Sequence, residues 1–543
     1  ATDVGLSSPG NYSIANAVNQ PITTAGISNR RTTNSLYASA DIGYKNMLFL
    51  QATWRGDWSS ALTYSNGTGN NFYNYPAASL SWIFTETFKS SLPSWITFGK
   101  LRGNLAALGG DTDPFKINPG FAFNGYSNAN GQTIPLSTYS TSSVLQPNLK
   151  PQRKISKELG LEMRFLENRL GLDVSIYQDN TKNQLLDIGT PTESGVSTIF
   201  INAGNIQNKG IEISLDATPL RTKNFSWNTA LNYAVNRNMI VDLYPGRTEY
   251  DLGANIGEIS TWAVVGKSYG TLRSKINSTA FQAVDGNGKP VDDPRNGLPI
   301  LQWRGDSRTA FPNRSNVWQD VGDINAKFRA GWDNTFNYKN FSLNVLLDAK
   351  IGGDFVLLSY RYGTHTGVFP NSLPGRDAKN GGIEWTSQYA NDGGTYDDGI
   401  IPEGVFKPGQ MVDKPGGGTA DVGGMTYQQA YDQGLVEPSH LPQFYYRYGS
   451  SSTGVSDYWV LKNSWISLRQ VAVSYRFPSK LYEKLKLNAL SLSVVGRDLL
   501  YLHNTLPYNF NPASNNSNNT AYSGEEGFLP MMRSFVFTLR ASF

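Results

Sequence analysis

Ser35-Leu36-Tyr37-Ala38-Ser39-Ala40-Asp41-Ile42-Gly43-Tyr44, a turn at Lys45-Asn46, and then Met47-Leu48-Phe49-Leu50-Gln51-Ala52-Thr53-Trp54-Arg55-Gly56-Asp57 carry the pattern that decides the fold. Leu36, Ala38, Ala40, Ile42 and Tyr44 share one face, and Tyr37, Ser39, Asp41 and Gly43 share the other. After the turn Leu48, Leu50, Ala52 and Trp54 oppose Gln51, Thr53 and Arg55. Successive side chains of a strand point to opposite faces, so period two sets one face against an apolar medium and the other against water. The alternation recurs along the chain. Leu172, Val174 and Ile176 oppose Asp173, Ser175, Tyr177 and Asp179, and Trp227, Thr229, Leu231, Tyr233 and Val235 oppose Asn228 and Asn232. Leu343, Val345, Leu347 and Ala349 oppose Ser342, Asn344, Asp348 and Lys350, with Leu346 the exception.

The connections between such segments alternate in length. Tight turns of similar chemistry occur at Tyr44-Lys45-Asn46, Glu167-Asn168-Arg169, Thr222-Lys223-Asn224 and Tyr338-Lys339-Asn340, where Asn suits the left-handed conformation of short hairpins. Between them lie long Gly/Asn/Ser/Pro-rich stretches, at 110–152, 240–323, 362–455 and 504–529. Compact soluble domains seldom hold structureless loops beyond about 15 residues, whereas outer-membrane barrels pair short periplasmic turns with long extracellular loops. The expectation is an all-β chain forming a transmembrane antiparallel β-barrel. About 13 strands fall near 34–44, 47–59, 74–87, 95–109, 153–167, 169–187, 207–219, 223–239, 324–338, 340–361, 457–477, 487–503 and 531–543, with a fourteenth around 267–279. Residues 1–33 read as a loop or linker, and 34–543 as barrel with its loops.

Composition agrees. Aromatics reach 12% and charged residues only 17% of the 543, against about 25% charged in an average globular domain. A net charge of +4 gives no argument for a nucleic-acid partner. The absence of cysteine removes disulfides, thiolate metal sites and cysteine nucleophiles. No run of about 18 apolar residues occurs, so no transmembrane helix is expected. The chain opens at Ala1 without a charged-then-apolar segment, which suggests a removed signal or a start partway along a longer protein.

The final segment is the most specific local feature. Phe535, Phe537, Leu539, Ala541 and Phe543 form an apolar face opposite Ser534, Val536, Thr538, Arg540 and Ser542. A terminal aromatic closing an amphipathic strand looks like the signal read by the barrel assembly machinery of the outer membrane. The plainer alternative is a closing strand of a soluble sandwich.

Several stretches resemble one family, the SusC/RagA-type TonB-dependent outer-membrane transporters of Bacteroidota. They are Asp57-Trp58-Ser59-Ser60 after the first strand pair, Lys100-Leu101-Arg102-Gly103-Asn104, Glu158-Leu159-Gly160-Leu161-Glu162, and Asn208-Lys209-Gly210-Ile211-Glu212. Further on come Gly322-Asp323-Ile324-Asn325-Ala326-Lys327-Phe328, with Ala326 where the family has Pro, Leu461-Lys462-Asn463, and Gly496-Arg497-Asp498-Leu499, with Asp498 where it has Asn. The resemblance implies a barrel of about 22 strands, of which this chain would supply the C-terminal part. It also implies a plug domain, absent from this chain, and active import of a large nutrient, glycan or oligopeptide. The implied partners are a SusD-like surface lipoprotein acting as a lid, and TonB-ExbB-ExbD acting through the missing N-terminal part. A dimer of transporter–lipoprotein pairs also follows from it.

The residues hold little for catalysis. His365, His440 and His503 are the only histidines, all expected at loops or strand ends, and no enzyme or cofactor is implied. Gly266-Lys267-Ser268 lacks the earlier glycine of a phosphate loop, Thr261 standing in its place. Asp285-Gly286-Asn287-Gly288 reads as a hairpin, because Asn296 stands where an EF-hand needs a carboxylate. Asp392, Asp397 and Asp398 are weak calcium candidates against a solvated loop. Tyr445, Tyr446, Arg447 and Tyr448 could stack on a sugar or peptide, or else belong to an interfacial girdle or the lid contact. Tyr360, Arg361 and Tyr362, at the top of a long strand, share that ambiguity. The alternatives to import are a passive porin-like or split barrel and a secreted β-rich adhesin.

Overall fold

The computed structural model describes residues 30–114, 116–118, 121–127, 133–139, 143–145, 148–189, 198–305, 308–389, 392–440, 454–483, 486–514, 521–527 and 530–543. The chain forms two compact units. One comprises residues 1–219, 236–250 and 264–267, and the other residues 220–235, 251–263 and 268–543.

The wall of the first unit is an antiparallel run of β1 (Thr33–Tyr44), β2 (Leu48–Ser59), β3 (Phe72–Trp82), β4 (Ile96–Gly110), β5 (Gln152–Phe165), β6 (Leu170–Gly189) and β7 (Thr198–Arg221), each paired with the next. Residues directly opposite on antiparallel strands share a face, so the register turns the alternation of each strand into continuous rows. Ile42, Leu50, Leu80, Gly103, Leu159, Ile176 and Ile211 lie side by side across the seven strands. The adjacent row, on the other face, is Asp41, Gln51, Ser79, Asn104, Glu158 and Tyr177. Ile42, Leu50, Leu80, Leu159 and Ile176 are all exposed. A band of exposed aliphatic side chains in ordered strands is what a barrel presents to lipid.

The second unit repeats the arrangement. Its wall is the first part of β8 (Phe225–Asp242), then β9 (Phe328–Tyr338), β10 (Phe341–Ile351), β11 (Trp465–Arg476), β12 (Ala489–Asn504) and β13 (Ser534–Ser542). Phe336, Leu343, Val473, Val494 and Phe537 form one apolar row. Phe535, Phe537, Leu539 and Phe543 are exposed, on or just beyond the last strand. The register shifts between Leu346 and Leu347, where Arg469 is the extra residue of β11. The bulge lies in β11 and leaves Leu346 on the polar face of β10 opposite Gln470, while Leu347 pairs with Leu468 on the apolar one.

The tight turns are as expected in place but broader in residue type. Lys45 and Asn46 are both left-handed, with φ of 48° and 53°, as are Glu167, Asn168 and Lys339. A two-residue hairpin needs that backbone to match strand twist, and these turns obtain it without glycine.

Four expectations are corrected. The fourteenth wall strand around 267–279 is instead the short strand Thr271–Ser274, in a small sheet with Ile259–Val264 and Gln319–Asp323. The strand read over 340–361 ends at Ile351, because Gly352 and Gly353 adopt φ of 83° and 89° and stop the ladder. The third strand ends at Trp82, and Phe84–Thr87 makes one helical turn. Finally, the stretches read as plain loops are folded. Leu301, Phe406, Val412, Val422, Tyr427, Ala430 and Val436 form a core of their own, and each such side chain contributes about 1.5–3 kcal/mol on burial. The helix Tyr427–Asp432 closes that core with a capping box between Thr426 and Gln429.

Asp285 forms the expected hairpin turn, accepting backbone N–H bonds from Asn287 and Lys289 at 2.9 Å each. Beside it Arg295 donates to Asp293 from both Nε and Nη2, at 2.8 and 2.7 Å. That side chain, with its own backbone N–H, lowers the Asp293 carboxyl from 3.8 to about 2. A depressed carboxyl contributes stability above its unfolded value and loses it as pH falls through the folded one. Protection of the Arg295 amide against hydrogen exchange is therefore expected to be constant from neutral pH down to about 4. It should decline only below that, and a decline near pH 6 would contradict the assignment.

Candidate functional site

The polar face of the first unit is a ladder of ion pairs. Arg102 on β4 reaches diagonally to Asp173 on β6, with Nη1 and Nη2 at 2.8 and 2.7 Å from its two oxygens, and also donates to Ser175 at 2.7 Å. Gly160 makes this possible: a Cβ there would lie 2.5 Å from Arg102 Nε. Lys100 pairs with Glu162 at 2.7 Å, Lys154 with Asp179 at 2.7 Å, and Arg164 with Asp216 at 3.0 Å. One side of the sheet is thus charged and polar, while the other is aliphatic.

In the second unit the connections above the strands carry the aromatic surfaces. After β10 the short strand Asp354–Leu357 leads into the helix Leu358–His365, so Tyr360, Arg361 and Tyr362 lie on a helix and not at the top of a strand. Their fates differ. Arg361 is 3% exposed and structural. It donates to Glu258 at 2.5 and 3.3 Å and lies over the Trp459 ring, 4.6 Å from its centroid. Tyr362 is exposed. Tyr360 belongs to an aromatic group with Phe369, Tyr508 and Phe510. Within it Phe369 and Tyr508 are stacked almost parallel, with centroids 4.7 Å apart and planes at 8°. Asn371 ties the group together, donating its backbone N–H to the Tyr508 hydroxyl at 2.9 Å and its amide to the Tyr360 hydroxyl at 3.1 Å. Tyr508 and Asn509 are both left-handed, with φ of 51° and 56°, a strained pair of the kind that clusters at functional sites. Tyr508 remains exposed, so the group offers a flat ring edged by hydroxyls.

Sequence reading missed Phe369 and Tyr508 because they lie in two stretches read only as loops. The signal available was Phe369-Pro370-Asn371 and Pro507-Tyr508-Asn509-Phe510, aromatics placed beside turn residues. Tyr445, Tyr446, Arg447 and Tyr448 lie outside the described residues.

Asp392, Asp397 and Asp398 are not brought together. Asp392 accepts from the Tyr396 hydroxyl at 2.7 Å and from the Gly394 N–H at 3.1 Å, with Arg308 at 3.4 Å. Those contacts, the tyrosine first, hold its carboxyl below the usual range. Asp398 faces His440 Nδ1 at 3.1 Å, and Asp397 accepts the Ala378 N–H at 3.5 Å. Among the described residues no three acidic or histidine side chains are grouped as metal ligands, so the calcium candidates find no support. His440 instead belongs to an aromatic box with Trp385 and Tyr396, centroids 4.8 and 4.3 Å away. His365 ends a helix and His503 lies in β12.

A profile of the family described as TonB dependent receptor-like, beta-barrel matches residues 2–296. The chain is 27% identical over 372 residues to TonB-dependent receptor P39 of Formosa agariphila, a match covering 61% of this chain and 34% of that protein. It is 25% identical over 360 residues to TonB-dependent receptor SusC of Bacteroides thetaiotaomicron, covering 63% and 34%. The chain thus spans about one third of the length of these relatives. Its fold is similar to a chain of the RagAB peptide transporter, with a TM-score of 0.65 at 16% identity, over 94% of this chain and 48% of that one. These relatives are receptors and transporters and not enzymes. With a profile match over more than half its residues and a lipid-facing band in both units, this chain belongs to the TonB-dependent receptor-like β-barrel family, whose members are integral proteins of the bacterial outer membrane.

Proposed function

We propose that this chain is part of the barrel of an active importer for a large nutrient, a glycan or an oligopeptide. The family match over residues 2–296 carries that reading. In it, a SusD-like surface lipoprotein covers the extracellular face, and TonB-ExbB-ExbD drives transport through a plug contributed by the remainder of the protein. Two such transporter–lipoprotein pairs would associate as a dimer. The folded connections of the second unit support the lid role, since a surface with its own core can dock a partner without first becoming ordered. Further barrel strands are also required. Among the described residues β1 pairs only with β2 and β13 only with β12. An edge of unpaired backbone groups in hydrocarbon costs several kcal/mol per group.

The test is peptide mapping of the protein extracted from native outer membranes together with its co-purifying chains. A plug-bearing segment and a surface lipoprotein in the same complex support the reading. A barrel recovered with neither supports the passive alternative. The Tyr508 platform gives a second measurement. Tyr508→Ala removes one aromatic partner, worth about 0.5–1.5 kcal/mol beyond burial, so capture of the nutrient should weaken about 2- to 10-fold. Barrel melting should not change. Unaltered capture would remove the platform from the substrate path.

A further inference from the structure

Three hydrogen-bond donors stand side by side on the polar face of β9, β10 and β11. The register sets Arg329 directly opposite Lys350, and Lys350 directly opposite Trp465. Like charges directly opposite on antiparallel strands destabilise the pair. The carboxylates nearby are committed elsewhere. Asp348 and Asp498 both bind Arg469, at 3.1 and 2.8 Å. Asp354 binds Lys462 at 2.7 Å and the Asp323 N–H at 2.8 Å. Among the described residues neither Arg329 nor Lys350 has an ion-pair partner, although Lys350 is only 9% exposed.

Two neutral groups are unsatisfied in the same place. Trp465 is 5% exposed and its indole N–H meets no acceptor. Asn463 is more buried still. Its amide donates to the Pro512 carbonyl at 2.9 Å, but its side-chain oxygen meets no donor. Arg329, Lys350, Asn463 and Trp465 all line one cavity of about 350 Å³, together with the Arg469–Asp348 ion pair, whose carboxylate is already neutralised by its partner. Buried polar groups are paired with few exceptions, and a buried cation held without a direct ion pair, with Asp354 acting on Lys350 only from a distance, is unfavourable. An anion in the cavity resolves the repulsion and the orphaned indole together.

We propose that this cavity is a carboxylate-binding site. The Lys350 ammonium and the Arg329 guanidinium neutralise the carboxylate, and the Trp465 N–H donates to one of its oxygens. The Asn463 oxygen accepts from a donor on the neighbouring atom, such as the amide N–H of a C-terminal peptide residue or the hydroxyl of a sugar acid. The same chemistry has two sources: a solute entering the barrel, or an acidic side chain of the protein outside residues 1–543. The site does not rest on the import reading, because binding is measured at equilibrium.

The experiment is titration of the purified full-length protein in detergent with N-acetylglycine, against N-acetylglycinamide at equal ionic strength set with chloride. In parallel, carbodiimide coupling of Lys350 is mapped by mass spectrometry. Saturable binding of the acid but not the amide is expected, weakened about tenfold or more by Lys350→Met and a few-fold by Trp465→Phe. That result assigns the site to a solute. Carbodiimide coupling of Lys350 to an Asp or Glu outside residues 1–543, without binding of the added acid, also supports the site and assigns it to the protein itself. Neither binding nor coupling, or binding unchanged in both variants, overturns the proposal. Arg329→Gln replaces Lys350→Met should the latter fail to show the heat-resistant mobility of an assembled barrel.

Discussion

Arg361→Ala is expected to loosen the helix Leu358–His365 and the turn that carries Glu258, while leaving the barrel strands assembled. Arg361 is buried, its two nitrogens engage both oxygens of Glu258, and its plane lies over Trp459. Removing one partner of a buried pair costs about 3–5 kcal/mol, because the other charge is left without compensation. Glu258 keeps about a third of its side chain in water, so the lower end of that range applies. Hydrogen exchange of residues 256–259 and 354–365 reads the effect directly, as a rise in local opening of about a hundredfold or more. Arg361→Lys should rescue only part of it, since an ammonium cannot reproduce the two-point contact or the stacking. Exchange unchanged in Arg361→Ala would return this residue to the pool of surface contacts.

Lysine at Val345 or Leu347 has the second large expected effect, on the barrel itself. Both residues lie on the apolar face of β10, in register with Val471 and Leu468 on one side and Asn334 and Trp332 on the other. A lysine at mid-membrane depth on the lipid face costs about 2–4 kcal/mol, and denaturant titration of the protein in lipid should show it. Asp348→Asn is the matching control on the polar face. Its partner Arg469 retains Asp498, and both side chains of the broken pair are more than a third exposed. The change should therefore cost no more than about 1 kcal/mol. Equal costs at the two kinds of site would contradict the assignment of the faces.

Most wall strands, their two faces and the tight turns were legible in the sequence, whereas the ends of the strands read over 74–87 and 340–361 and the fourteenth strand were not. A wall strand is a local object. Its alternation is written in consecutive residues, and a one-residue slip would expose every wrong side chain. Pairs within a tight hairpin, such as Ile42 with Leu50 and Phe336 with Leu343, follow once each strand is read and its turn placed. The family, too, was legible, because its motifs sit on those strands and at their turns.

What the sequence could not show depends on contacts between distant segments. Arg361 read as a contact residue at the top of a long strand until the fold placed it on a helix against Glu258 and Trp459. Phe369 and Tyr508 became one platform only when two connections met, and Asp392 and Asp398 became separate structural pairs when Tyr396 and His440 reached them first. The row of Arg329, Lys350 and Trp465 spans three strands, two of which are separated by more than a hundred residues. Alternation assigns Lys350 to the polar face, but only the register between strands, with the bulge at Arg469, sets Arg329 directly opposite it and an orphaned indole beside it. Periodicity along the chain fixed which face a side chain takes, and tertiary structure decided its neighbours, because pairing across strands depends on loop closure that no local pattern encodes.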